Sequence, residues 1–228
     1  MTITGDNSGT DATEYIDPPH GVLESLRRRI ASQQIPPGSR LREQELAEEF
    51  GVPRTRVREA FTVLEVKGLI DRVPNRGAVV ARLDIAQLID MYDVREVLEG
   101  ACARLAAEQS SAGSWDALIK MFGEPMQAHV DAKDFGSFVE GYDRFRAQVT
   151  AAASNSILTA MLDGIYERTQ TAIRRIIILP GRAEVGLVEH RAVLAALAEG
   201  DGVRAEELRR ANMRSAKDYL IRFQSFVL

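Results

Sequence analysis

The sequence predicts a mainly α-helical protein in two parts: three short helices with a β-hairpin, then an all-helical bundle. Three observations carry this. Apolar residues recur at helical spacing through residues 21–67. The period then changes to short β-like runs at 69–73 and 78–81, on either side of Pro74-Asn75-Arg76-Gly77. From residue 84 onward the pattern is helical almost without interruption.

In the first part, Val22, Leu23, Leu26 and Ile30 mark a helix over 21–35, which Pro36-Pro37-Gly38 ends. A second helix, 43–50, puts Leu46, Ala47 and Phe50 on one face, and Gly51 suits the position just past its end. A third runs from Pro53, which fits a first turn that needs no amide donor, to Lys67, and Gly68 closes it. Three helices followed by a hairpin make a winged helix-turn-helix. In the second part, helices are expected near 84–109, 114–131, 134–152, 155–178, 183–199 and 202–226. Connections as short as those between them favour antiparallel neighbours in a bundle. The expected division is a disordered tail over 1–17, a winged domain over 18–83 and a helical domain over 84–228.

The chain has 228 residues, 45% hydrophobic and 27% charged, as a globular protein does. No apolar run approaches the roughly 20 residues of a bilayer span. Residues 1–17 are polar and acidic, without the basic start and apolar run of a secretory leader, so a cytoplasmic protein is expected. A single cysteine, Cys102, excludes an internal disulfide framework and a cysteine-cluster metal site; it reads as a buried structural thiol. Net charge is −4, but its distribution is uneven. Residues 17–83 carry 12 Lys+Arg against 9 Asp+Glu, and residues 84–228 carry 17 against 21. Basic charge concentrated in one region is the footprint of a polyanion contact. Catalytic signatures are missing: no G-x-S-x-G, Walker loop, Rossmann glycine pattern or H-E-x-x-H occurs, and the three histidines are scattered at 20, 129 and 190. An enzyme is not expected.

Arg54, Thr55, Arg56 and Arg58 open the third helix. The first residues of a recognition helix meet base edges and phosphates, and arginine pairs bidentately with guanine. Val57, Ala60, Phe61 and Leu64 supply the buried face, so the arginines must point outward together. At the wing tip, Asn75, Arg76 and Gly77 offer a second contact: Gly77 allows close backbone approach to a phosphate, and Arg76 can enter a minor groove. Taken separately, these features also read as a solvated basic face and an ordinary turn.

The segment GSRLREQELAEEFGVPRTRVREAFTVLEVKGLIDRVPNRGAVVARL (38–83) resembles the DNA-binding domain of the GntR family of bacterial regulators. By that resemblance Arg54, Thr55, Arg56, Arg58, Arg76 and Gly77 touch DNA. Gln44 stands where related regulators often carry a phosphate-contacting arginine. Pro53 replaces a usual serine, removing an N-cap hydroxyl, and Arg56 replaces a usual proline, adding a donor. MYDVREVLEGACARLAAE (91–108) and VEHRAVLAALAEGDGVRAEELRRANM (188–213) resemble the opening and closing helices of the FadR-type (FCD) effector domain. The resemblance implies a homodimer that binds double-stranded operator DNA, most often as a repressor, under the control of a small molecule.

Many FadR-type domains hold a divalent metal through an Asp and a His one helical turn apart and two further His. Here Tyr142 falls where the Asp is expected, with Asp143 beside it, Arg146 where the first His is expected, and Asn212 where the last is; only His190 matches. A cation in that cluster opposes a metal, so no cofactor is expected; a metal-dependent alternative would rest on Asp143 and His190. Arg95, Tyr142, Arg146, His190 and Asn212 are instead expected to converge on a small organic or aromatic acid, held bidentately by Arg146. Alternatively, Arg146 pairs with Asp143 or Glu140 and the pocket is vestigial, or the protein is a ligand-independent DNA binder.

Overall fold

The computed structural model describes residues 18–82 and 84–227. The tail expected over 1–17 lies outside them. The winged part holds α1 (Pro18–Ala31), β1 (Arg40–Leu41), α2 (Glu43–Phe50), α3 (Arg54–Val66), β2 (Ile70–Val73) and β3 (Gly77–Val80). β3 is the middle strand of an antiparallel sheet, with Ile70 opposite Val80 and Arg40 opposite Val79. The two-residue β1 is too short for a periodicity to mark it in the sequence. Leu26, Val57, Phe61, Leu64 and Ile70 are buried together and hold α1 and α3 to the sheet. Gly51 ends α2 in the left-handed region at φ 64°, and the Val52 amide donates to the Ala47 carbonyl, which fixes the turn into α3.

The second part consists of α4 (Ile85–Gln109), α5 (Asp116–Met121), α6 (Glu124–Asp131), α7 (Phe135–Ala152), α8 (Ser156–Ile177), α9 (Arg182–Glu199), α10 (Gly202–Arg222) and α11 (Gln224–Val227). The single helix expected over 114–131 is two. Pro125 has no amide to give the Met121 carbonyl, so the chain breaks at Phe122-Gly123. Arg191 on α9 covers that break, donating to the carbonyls of Phe122 (2.6 Å) and Gly123 (2.8 Å). Asp84, Asp134, Asn155 and Asp201 cap α4, α7, α8 and α10 through side-chain acceptors. Trp115 is a fully buried member of the bundle core, as is Cys102, the thiol expected to be buried. Among the described residues no helix is long and apolar enough to cross a membrane.

Candidate nucleic-acid interface and ligand cavity

α3 presents its arginines as its spacing requires. Val57, Ala60, Phe61 and Leu64 are buried, while Arg54, Arg56 and Arg58 are exposed. Among the described residues Arg54 and Arg58 share the part-buried Glu43 (3.3 and 2.8 Å) and Arg56 meets the exposed Glu59 (2.9 Å). Exposed pairs of this kind contribute about 0–1 kcal/mol, so a phosphate can replace them at little cost. Pro53 is the N-cap residue itself, one position before the expected first turn, and makes no side-chain cap. The Arg56 amide donates to the Pro53 carbonyl (2.9 Å), and those of Arg54 and Thr55 are left to solvent or an anion.

At the wing tip Asn75 (φ 64°) and Gly77 (φ 75°) both take the left-handed conformation, and the Arg76 amide closes the turn on the Val73 carbonyl at 3.0 Å. A groove of about 270 Å3 runs between wing and helices and brings Gln44, Arg54, Arg76 and Gly77 to one surface. Arg40, Arg42 and Arg72 line it too. Sequence reading passed over these three because they lie on or beside strands whose pairing a periodicity does not give. Gln44 donates to Glu48 at 3.1 Å.

Inside the bundle a chain of buried ion pairs crosses three helices. Glu99 on α4 accepts from Arg95 (2.8 Å) and from Arg209 on α10. Arg209 also donates to the Asn212 Oδ1 (2.7 Å), and the Asn212 amide donates to Glu189 on α9 (2.6 Å), which accepts from Arg182 as well (2.9 Å). Arg95 further donates to the Tyr142 hydroxyl at 2.9 Å and lies over the rings of Tyr92 and Tyr166. Burial alone would push Glu99 up, but the Arg209 and Arg95 guanidinium groups hold it below the usual carboxylate range. Arg95 stays charged because Glu99 and the tyrosines outweigh its own desolvation.

His190 sits among Phe122, Phe138, Tyr142 and Phe145. Burial, reinforced by Arg209, pushes its pKa down to about 3, so the ring is neutral. Its Nδ1 lies 2.5 Å from the Gly186 carbonyl, an acceptor, which puts the ring proton on Nδ1 and leaves Nε2 a lone pair. That Nε2, and Nη1 of Arg95, are buried without a hydrogen-bond partner among the described residues. Both residues line one cavity of about 30 Å3, together with Tyr92, Tyr142, Arg182 and Asn212.

Residues 20–80 match the bacterial regulatory proteins of the gntR family, and residues 90–215, more than half of the chain, match the FCD domain. The chain is a GntR-family transcriptional regulator with an FCD domain. It is 26% identical over 205 residues to an HTH-type transcriptional regulator of an unstable DNA locus in Streptomyces ambofaciens, covering 90% of this chain and 85% of that one. It is 28% identical over 181 residues to the HTH-type transcriptional repressor RspR of Escherichia coli, covering 79% of each. The solved structure of McbR/YncC from E. coli shares the fold, with a TM-score of 0.74 at 22% identity over 92% of this chain and 99% of that one. The relatives are regulators and not enzymes.

Four of the five residues expected to meet in the FCD domain of this regulator do so: Arg95, Tyr142, His190 and Asn212. Arg146 does not. It is absent from the cavity lining; its guanidinium packs 3.9 Å from the centre of the Tyr166 ring and approaches Asp163 at 3.8 Å, with no ion pair to Asp143 or Glu140 among the described residues. One helical turn separates it from Tyr142, but α7 turns its side chain toward α8 and away from α9. Asp143 is absent from the lining of the His190 cavity; burial raises its pKa against the pull of the Arg146 and Arg174 charges. The donor set does not suit a divalent cation. His190 has one nitrogen spent on Gly186, guanidinium groups share its cavity, and no group of three His, Cys, Asp or Glu forms a metal site among the described residues. Glu99, Arg209, Arg182 and Glu189 escaped sequence reading. The Arg95–Glu99 pair, four apart within an apolar helix, is the signal that could have found Glu99.

Proposed function

We propose that this protein is a homodimeric repressor whose operator affinity is set by a small organic acid bound, without a metal, in the FCD cavity. One observation carries the reading: a guanidinium donor, Arg95 Nη1, and an imidazole acceptor, His190 Nε2, lie buried and unpartnered in the same cavity. A buried charged donor without an acceptor is costly. A ligand carboxylate satisfies the first and a ligand hydroxyl the second, so the favoured class is a small hydroxy acid. Arg95 thus takes the role that sequence reading gave to Arg146. The cavity is smaller than such a ligand, so binding must displace side chains around it; Met213, unbranched and flexible, lines it and can yield.

On the DNA side, the interface proposed is Arg54, Thr55, Arg56, Arg58, Gln44, Asn75, Arg76 and Gly77, widened by Arg40, Arg42 and Arg72. Dimerisation follows because one recognition helix reads a half-site. Val94 and Val97, one turn apart and about half exposed on α4 (47% and 54%), offer an apolar stripe for a second copy. Repression is proposed by likeness to RspR. Fluorescence anisotropy on duplexes from the gene's own upstream region tests the whole reading. A hydroxy acid is expected to weaken binding at least tenfold. An operator affinity indifferent to every acid tried would leave a ligand-independent DNA binder.

A further inference from the structure

An ion-pair post joins the winged part to the bundle. Glu167 on α8 accepts from Arg27 on α1 and, with both oxygens (3.0 and 2.9 Å), from Lys67 at the end of α3. Beside this post the two surfaces part into a cleft of about 460 Å3. That is within the range of pockets that take small organic ligands, whereas the FCD cavity holds about 30 Å3. The floor of the cleft is apolar: Ile30, Pro36, Leu69, Val80 and Leu88 line it. Its charged lining is one-sided. Among the described residues Glu167 is its one carboxylate and is committed to Arg27 and Lys67, while Arg82, Arg168 and Arg175 also line it. The Nε of Arg168 is buried and has no hydrogen-bond partner among the described residues.

We propose that this interdomain cleft is a second ligand site, for an amphipathic organic carboxylate whose head group lies on Arg168 and Arg82 and whose hydrocarbon body covers the apolar floor. A guanidinium fork matches a planar carboxylate, and the floor rewards burial of a tail. A ligand here touches both domains at once, since α1 and β3 form one wall and α8 the other. It therefore acts on the placement of the DNA-reading part directly, independently of the FCD cavity.

The test is calorimetric titration of the full-length protein with octanoate and with 1-octanol, which keeps the tail and removes the charge. Saturable octanoate binding is expected, at least tenfold tighter than octanol and at least tenfold weaker in Arg168→Gln. Hydrogen exchange by mass spectrometry locates the ligand without a variant: protection is expected in α1 and over 167–175. No saturable octanoate binding, equal affinity for octanol, unchanged affinity in Arg168→Gln, or protection confined to residues 209–216 would each overturn the proposal.

Discussion

The same residue type does opposite work in the two halves of this molecule. On α3, arginines stand in solvent and pair with the carboxylates of Glu43 and Glu59 at 2.8–3.3 Å. In the bundle, Arg95 and Arg209 are buried on either side of Glu99, at 1–3% exposure. An exposed pair is screened, contributes about 0–1 kcal/mol and exchanges readily for a phosphate. A buried pair gives up its hydration and depends on every partner, so removing one partner costs about 3–5 kcal/mol. The first arrangement suits an interface that binds and releases a polyanion. The second suits a rigid chamber in which one unmatched donor is conspicuous.

The sharpest way to break this contrast is Arg209→Ala. It leaves Glu99 buried with only Arg95, and the expected loss is about 3–5 kcal/mol of unfolding free energy, read by chemical denaturation. Arg54→Ala, by comparison, is expected to leave that free energy within about 0.5 kcal/mol.

The pH dependence is next in size. His190 has a folded pKa near 3, below its unfolded value, so the unfolded chain takes up a proton that the folded chain refuses. Stability is therefore full above about pH 6.5 and falls by about 1.4 kcal/mol per unit as pH drops below it. Glu99, also depressed in the fold, adds a loss of the same sign at lower pH, below the unfolded carboxylate range. Denaturation midpoints between pH 7 and 5 are expected to slope for the native protein and to flatten for His190→Phe. An equal slope in both would remove His190 as the cause.

On the DNA side, Arg58→Ala is expected to cost about 1–3 kcal/mol of operator affinity and Arg76→Ala about as much, with unfolding unchanged. The smallest effect expected is a gain. Gln44→Arg adds a cation beside the basic groove and should steepen the salt dependence of binding by about one unit. An unchanged slope would place Gln44 away from the phosphates.

How much of this was legible in the sequence follows the same division. Exposed arginines at the start of a helix whose opposite face is Val57, Ala60, Phe61 and Leu64 can be placed by period alone. The wing was legible because Asn75 and Gly77 are the residues a left-handed turn selects. The bundle was not. Helical spacing placed Tyr142 and Arg146 on neighbouring turns, but it did not show that Arg146 packs on the Tyr166 ring of α8 and stays out of the cavity lining. Nor could it pair Glu99 with Arg209, 110 residues away, because a charge inside an apolar helix declares its burial and not its partner. The break at Phe122-Gly123 was readable from Pro125 and was missed in favour of an unbroken apolar period.

The central claim, a metal-free acid site built on Arg95 and His190, is tested most directly by one calorimetric titration. Chelator-treated full-length protein is titrated with lactate and mandelate, alongside Arg95→Gln and Arg146→Ala. The predicted result is saturable binding of at least one acid, abolished in Arg95→Gln and unchanged in Arg146→Ala. Binding that appears only after zinc or manganese is restored, or that is lost in Arg146→Ala and kept in Arg95→Gln, would contradict it.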